Sequence, residues 1–167
     1  MTEKTLVLTS EAQTAHLAQQ LAEQIVELFK RAPLASMRIS LVGDLGAGKT
    51  TFTRYLVQSL GHSGKVKSPT YALCEPYVLN IDGKTQLVIH HFDLYRMNYP
   101  EEWIDAGFRD TFSNPGICIV EWAEKAGSTL PAFDLSIELN INDDESRTAK
   151  LMSFSVNGQT ILQDAIQ

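Results

Sequence analysis

The sequence contains little cysteine and no long apolar run. Its two cysteines, Cys74 and Cys118, lie far apart along the chain, each inside a short apolar stretch. Isolated cysteines in such stretches are usually buried core residues, so we predict neither a disulfide bond nor a metal site at them. No apolar run approaches the roughly 18 residues of a membrane span, and Met1–Thr5 leads into no signal-peptide core. We therefore predict a cytoplasmic protein.

The chain also lacks internal repeats, low-complexity segments and an excess of positive charge. Its formal net charge is −6. A protein that binds nucleic acid unaided usually has a basic face that neutralises phosphates, so we expect any contact with RNA to run through a partner. With 167 residues the chain can bury a core without disulfide bonds, and we predict a single domain, residues 1–167.

The most informative motif present is Gly43–Thr50, which matches the phosphate-binding pattern G-x-x-x-x-G-K-[ST]. A backbone with so little side-chain obstruction can curl around a β-phosphate, so that its N–H groups and the following helix N-terminus face the anion. Lys49 would reach the β- and γ-phosphates, and the Thr50 hydroxyl would be a ligand of Mg²⁺. The residues expected around the phosphates are Asp44, Leu45, Gly46, Ala47, Gly48, Lys49, Thr50 and Thr51.

The segments on either side of this motif support a nucleotide-binding function. Met37–Val42 alternates as a short strand before the loop, and Thr51–Leu60 is typical of a helix that ends at Gly61. A glycine-rich turn without function rarely has a strand before it and a helix after it. The sequence therefore predicts a strand–loop–helix phosphate site of the kind found in P-loop proteins.

Two further strands end in an acid, as a metal site beside a phosphate loop requires. Leu87–Asp93 and Ile117–Glu121 are mostly apolar and then finish with a carboxylate. Ligands of open α/β sheets bind at the carboxyl ends of the strands, so Asp93 and Glu121 should both face the phosphates. One acid would hold Mg²⁺ and the other would complete the metal shell or orient a water molecule. The alternative is that each is a solvated strand end.

Other polar and aromatic residues allow two interpretations each. Ser68-Pro69-Thr70 follows the predicted phosphate-loop helix, where Thr70 could sense the γ-phosphate or belong to an ordinary loop. Trp122 could cover the site or be a packing anchor. Arg96 could pair with a carboxylate or reach a phosphate, and a structural ion pair is the more common role for such an arginine. His90 and His91 point to opposite faces of a strand, so they cannot jointly bind one metal, and we predict no zinc site.

The remaining segments complete the predicted fold. Ser10 and Gln13 form a capping box that opens an amphipathic helix to about Lys30. A short helix is expected over 100–107. The paired strand-like runs 71–79 with 86–92, and 135–141 with 151–156, are expected to form antiparallel hairpins. The prediction is an α/β, P-loop NTPase-like fold with a short parallel sheet extended by antiparallel strands and helices on both faces.

These motifs, in this order, resemble the TsaE family, the bacterial ATPase of tRNA threonylcarbamoyladenosine biosynthesis. The stretches that carry the resemblance are Gly43–Thr51, Ser68–Tyr71, Phe92–Arg96, Val120–Trp122 and Leu130-Pro131. They span most of the chain. The phosphate loop alone is shared by many enzymes, whereas the ordered set is specific.

The resemblance implies ATP and Mg²⁺ binding, and ATP hydrolysis that is weak without partners. It implies the TsaB–TsaD heterodimer as the partner, in which TsaD transfers the threonylcarbamoyl group to an adenosine beside the tRNA anticodon. Carried over by motif, Lys49 neutralises phosphates, Thr50 and Glu121 contact Mg²⁺, and Asp93 lies by the metal and water. Thr70 and Trp122 would matter for hydrolysis.

Competing classes of nucleotide-binding protein are distinguished by what else they need. A P-loop small-molecule kinase would carry an arginine-rich lid, but the six arginines are scattered along the chain. A GTPase would carry an Asn/Thr-Lys-x-Asp motif, and an ABC-type ATPase a Ser-Gly-Gly signature; neither is present. An adaptor that binds ATP without hydrolysing it is a further alternative, against which the two strand-end acids argue.

Overall fold

The structure is a computed structural model that describes residues 1–69 and 71–167, so Thr70 lies outside the described residues. Within them, strands and helices alternate along most of the chain. The strands are β1 (Glu3–Leu8), β2 (Ser36–Val42), β3 (Cys74–Asn80), β4 (Gln86–Asp93), β5 (Gly116–Glu121), β6 (Leu135–Ile141) and β7 (Arg147–Ser153). The helices are α1 (Glu11–Arg31), α2 (Lys49–Ser59), α3 (Glu102–Asp105) and α4 (Val156–Ala165), with 3₁₀ turns at Asp110–Phe112 and Ala123–Ala126.

The strands form one mixed sheet in the order β1-β7-β6-β2-β5-β4-β3. Its centre is parallel, because β2 pairs with β5 and β6, and β5 pairs with β4. Antiparallel pairs extend it on both sides: β3 with β4, and β6 with β7 and then β1. This arrangement confirms the predicted fold class. It also brings the carboxyl ends of β2, β4 and β5 to one edge of the sheet.

Helix α1 begins where its capping residues predict. The Ser10 hydroxyl accepts a hydrogen bond from the Gln13 backbone N–H at 3.2 Å, and the Gln13 side chain accepts one from the Thr9 N–H at 2.7 Å. These contacts satisfy donors that the first helical turn leaves unpaired. The helix then continues to Arg31, one residue beyond the predicted Lys30.

The core has two parts, one on each face of the sheet. The larger part packs α1, α2 and α4 against side chains of the central strands, including Ile39, Ile89 and Ile119. The smaller part contains Phe92, Val120 and both cysteines, covered by α3 and the first 3₁₀ turn. Cys74 and Cys118 are free and buried there, as predicted. Helices therefore cover both faces, but the long ones share a single face.

The structure corrects the predicted end of the chain. Strand β7 spans Arg147–Ser153 rather than residues 151–156, and Val156 instead begins α4, which was not predicted. Ser155 caps this helix by accepting a hydrogen bond from the Gly158 N–H at 3.0 Å. Gly158 argues against a helix on propensity, yet a Cβ there would lie 2.1 Å from the Asp134 carbonyl oxygen. Close packing therefore requires the residue that local propensity disfavours.

Other predicted segments need smaller corrections. Strand β3 begins at Cys74 rather than at residue 71, and the helix expected over 100–107 is confined to α3. Across the described residues, no helix is both long enough and apolar enough to cross a membrane.

Candidate functional site

The loop between β2 and α2 has the backbone shape of a phosphate cradle. Gly46 and Gly48 have φ angles of +82° and +105°, which only glycine adopts at little cost, and Gly48 is the N-cap of α2. At Gly43 a Cβ would lie 2.6 Å from the Leu139 carbonyl oxygen of β6. The glycines of the motif therefore serve both the curvature of the loop and its close approach to the sheet.

Lys49 is buried beneath this loop, with only 5 % of its surface exposed. Its ammonium donates a hydrogen bond to the Gly43 carbonyl at 2.5 Å and lies 3.7 Å from the centre of the Trp122 ring. Burial lowers the pKa of Lys49, whereas the carboxylates of Glu121, Glu124, Asp93 and Asp44 oppose this shift. A negatively charged ligand in the loop would favour the charged lysine further.

Thr50 and Glu121 meet at the start of α2. The Thr50 hydroxyl lies 3.2 Å and 3.3 Å from the two carboxylate oxygens of Glu121 and donates to that group. Glu121 is only 2 % exposed, although it is the last residue of β5. It is therefore held inside the site and is not the solvated strand end that the sequence allowed.

Glu121 has a second partner that the sequence reasoning missed. His91 Nε2 lies 2.6 Å from Glu121 Oε2, and both side chains are almost fully buried. His90, the preceding residue, is half-buried and packs near Phe92 in the core of the opposite face. The prediction that the two histidines point to opposite faces is confirmed. No local pattern indicates the contact between His91 and Glu121, because it depends on the pairing of β4 with β5.

Asp93 ends β4 directly opposite Glu121 in the strand register. One of its carboxylate oxygens accepts a hydrogen bond from the Ser68 hydroxyl, and the other accepts one from the Tyr95 N–H at 3.0 Å. Asp93 is also buried, with 5 % of its surface exposed. The residue thus links the segment after α2 to the edge of the sheet where β5 ends.

Trp122 follows Glu121 with a left-handed backbone, φ +59° and ψ +41°. This conformation is uncommon for a bulky residue and bends the chain sharply at the end of β5. The indole lies against Tyr95, with ring centres 4.9 Å apart, and over the ammonium of Lys49. Trp122 therefore covers the ammonium of Lys49.

A cavity of about 200 Å³ opens beside the loop. Its lining comes from the loop, the start of α1 and the turn between β6 and β7, and includes Ser10, Thr14, Gly48, Thr51, Leu139 and Arg147. Arg147 was not predicted as a site residue. Its guanidinium donates from Nε to the Ala47 carbonyl at 3.0 Å and from Nη1 to the Glu145 carbonyl at 2.9 Å, so it ties β7 to the loop.

Comparison with known proteins agrees with these features. The family model described as "Threonylcarbamoyl adenosine biosynthesis protein TsaE" matches residues 8–149 of this chain. The chain belongs to the TsaE family. It therefore acts in the biosynthesis of tRNA threonylcarbamoyladenosine, and the resemblance inferred from the motifs is confirmed.

Individual relatives cover most of the chain. It is similar to the tRNA threonylcarbamoyladenosine biosynthesis protein TsaE of Haemophilus influenzae, with 44% identity over 135 residues, 81% of this chain and 82% of the relative. The Bacillus subtilis protein of the same name is 39% identical over 109 residues, 65% of each chain. The crystal structure of Bacillus subtilis YdiB superposes with a TM-score of 0.74 at 25% identity, covering 98% of this chain and 94% of that one.

The phosphate loop, Asp93, Glu121 and Trp122 come together at one edge of the sheet. Asp44, Leu45 and Gly46 form the exposed tip of the loop, whereas Ala47 and Lys49 are buried beneath it. Thr51 lines the cavity. Thr70, the predicted switch hydroxyl, lies outside the described residues.

Two arginines that lie near these motifs in the sequence, Arg54 and Arg96, make their contacts elsewhere. The guanidinium of Arg96 lies 4.6 Å from the Tyr71 ring centre, and Arg54 pairs with Glu11 at 3.7 Å on the surface. Neither of these two contacts involves the phosphate loop.

Proposed function

We propose that this chain is an Mg²⁺-dependent ATPase that supports the TsaB–TsaD complex in modifying the adenosine beside the tRNA anticodon. The observation that carries the proposal is the meeting of Thr50 with Glu121 at the N-terminus of α2, directly beside Lys49. A hydroxyl, a buried carboxylate and a lysine at the end of a phosphate loop are the groups that bind a nucleotide together with its metal.

The residues present fit a magnesium ion. Mg²⁺ prefers oxygen ligands and is usually bound through one or two carboxylates together with substrate phosphates. Thr50, Glu121 and Asp93 provide such oxygens, and both acids are buried where an uncompensated negative charge would be unfavourable. When bound, the ion would neutralise phosphate charge.

The protein's own residues would bind the phosphates, hold a water molecule and exclude bulk solvent. Loop N–H groups and the α2 N-terminus would bind the phosphates, and Lys49 would exchange its contact with Gly43 for the negative charge of the ligand. Asp93, oriented by Ser68 and the Tyr95 N–H, would hold a water molecule near the γ-phosphate. Trp122, whose ring lies over the Lys49 ammonium, would exclude bulk water from the phosphate site.

The cavity beside the loop is the proposed site of the nucleoside part of ATP. It lies next to Gly48 and Thr51, where the chain leaves the phosphate loop, and is closed by the start of α1. Apolar Leu8 and Leu139 offer surface for a base, while Ser10, Thr14 and Arg147 offer polar groups. Leu130-Pro131, the last of the stretches that carry the family resemblance, is not part of this lining.

Phosphate release measured with and without TsaB and TsaD tests the proposed function. We expect slow release from ATP and Mg²⁺ by the chain alone, and faster release, or a requirement for the chain in tRNA modification, when both partners are present. The acidic chain, with net charge −6, is expected to meet tRNA only through those partners. Rapid transfer of the γ-phosphate to a small metabolite would instead establish the P-loop kinase alternative.

A further inference from the structure

His91 is a buried polar residue that the proposed reaction does not use directly. Its side chain is 0% exposed, and Nε2 lies 2.6 Å from Glu121 Oε2. The other ring nitrogen, Nδ1, is buried and has no hydrogen-bond partner among residues 1–69 and 71–167. A buried nitrogen without a partner costs free energy, so an apolar side chain would be more favourable here if packing were the only requirement.

The direction of the hydrogen bond follows from its partners. A carboxylate only accepts, so Nε2–H donates to Glu121. A proton on Nδ1 would be buried without an acceptor, so the surroundings favour the tautomer that carries its proton on Nε2. The neighbours on this face of the sheet are apolar: Ile89 lies two residues earlier on β4, and Ile119 is opposite in the register.

The geometry points to His91 as the positioning residue of Glu121. His91 restrains one carboxylate oxygen from the β4 side, and the Thr50 hydroxyl contacts the carboxylate from the α2 side. Together they hold the group in one orientation before a ligand binds. This inference rests on the proposed function, because the orientation matters only if Glu121 supports a nucleotide-bound metal.

Fixed orientation has a known consequence for metal affinity. Hydrogen bonds to a metal-binding carboxylate orient it and influence its basicity, and their loss typically costs about 10- to 100-fold in metal affinity or activity. His91 touches neither the phosphate loop nor the cavity in the described contacts. Replacing His91 should therefore reduce the gain in ATP affinity that Mg²⁺ provides. It should leave ATP affinity without Mg²⁺ unchanged.

The test compares ATP affinity with Mg²⁺ and with excess chelator in the intact protein. In His91→Gln the amide nitrogen occupies a place close to Nε2 and can still donate to Glu121. In His91→Asn the same amide ends one bond short, and in His91→Leu it is absent. His90→Asn and His90→Leu are matched controls, since the neighbouring side chain faces the other side of the sheet.

We expect His91→Asn and His91→Leu to reduce the gain in ATP affinity that Mg²⁺ confers by about tenfold or more. His91→Gln should recover most of that gain, and both His90 variants should resemble the parent. Affinity in chelator should stay within about twofold in every variant. The positioning role is excluded if His91→Asn keeps the full Mg²⁺ effect, if Gln is as damaging as Asn, or if affinity in chelator falls equally.

A crystal structure of His91→Asn without nucleotide separates this inference from the proposed function. A displaced or disordered Glu121 carboxylate in this variant supports the positioning role. If the parent protein shows no Mg²⁺ effect on ATP affinity, the proposed function is refuted, but the crystallographic result still supports the positioning role. A carboxylate that keeps its place beside Thr50 overturns the positioning role. If the Asn variant does not fold, the Leu variant provides the same comparison.

Discussion

Lys49 carries a positive charge into a site that is crowded with carboxylates. Burial lowers its pKa, and four nearby acids oppose that effect. Its ammonium is held by the Gly43 carbonyl and the Trp122 ring. The lysine is thus already desolvated in the folded protein, so nucleotide binding does not have to supply the free energy of burying it.

Lys49→Ala should weaken ATP binding by at least about tenfold, because a charge-assisted hydrogen bond is worth about 1.5–3 kcal/mol and 1.4 kcal/mol is a factor of ten. Titration with a fluorescent ATP analogue measures the change. Lys84→Ala, in the exposed turn between β3 and β4, is the control and should bind like the parent. Unchanged affinity in the Lys49 variant would overturn its assignment to the phosphates.

Glu121→Gln should separate binding from hydrolysis. The amide keeps the shape of the side chain but loses the charge, so phosphate release should fall by about 100-fold, within the usual range for a group that acts in the transition state. ATP affinity in Mg²⁺ should fall less, by about tenfold, which is the loss also expected when Glu121 is misoriented. Single-turnover phosphate release and nucleotide titration on one preparation make the comparison, with Glu27→Gln on the exposed side of α1 as control. Equal losses in both measurements would contradict the separation.

The two thiols should be unreactive in the folded protein. Burial raises the pKa of both Cys74 and Cys118 to about 12. At pH 8 about one thiol in ten thousand would then be ionised, and the thiolate is the reactive form. Mass spectrometry after iodoacetamide treatment should show no label on the native chain and two labels after denaturation. Rapid labelling of either cysteine under native conditions would show that this part of the core opens readily.

The phosphate loop depends on β7 as well as on its own glycines. Arg147 reaches the Ala47 carbonyl from a strand that lies 100 positions further along the chain. The same guanidinium is held by the Glu145 carbonyl, so the arginine joins the β6–β7 turn to the loop. The shape of the loop is therefore a property of several packed segments.

Arg147→Ala should weaken ATP binding by about tenfold, with Mg²⁺ and with chelator alike, because it removes a charge-assisted contact to the loop and a polar wall of the cavity. Lys150→Ala provides the control, since that residue lies on the same strand and pairs with Glu3 on the surface. Isothermal titration of ATP measures both variants. A loss confined to Mg²⁺ conditions would place the arginine among the metal-dependent contacts instead.

The single sheet, with core on both faces, should unfold as one unit. Far-UV circular dichroism and tryptophan fluorescence should therefore report one coincident thermal transition. Saturation with ATP and Mg²⁺ at about 100 times the dissociation constant should add about 2.7 kcal/mol, or about 5–10 °C in Tm for a chain of this size. At the same ATP concentration, Lys49→Ala should lose at least about half of this shift, because a tenfold loss of affinity leaves about 1.4 kcal/mol. Two separate transitions would contradict the prediction of one domain over residues 1–167.

Local patterns along the chain were sufficient to predict the fold class and most of the residues that meet at the candidate site. The loop motif predicts its own conformation because glycines at fixed spacing permit the positive φ angles that the tight loop requires. The two strands that end in Asp93 and Glu121 predict a common edge because parallel strands in one sheet place their carboxyl ends together. Capping by Ser10 likewise predicts the start of α1 from neighbouring residues alone.

Only the tertiary structure decided the contacts between residues far apart in the chain. His91 meets Glu121 because β4 and β5 pair in one register, and Arg147 reaches the loop because β7 joins the same sheet. In helix α4, only the tertiary structure shows why Gly158 is needed, because it lies against the Asp134 carbonyl. Such features depend on which surfaces are brought together when the chain folds, and no short stretch of residues contains that information.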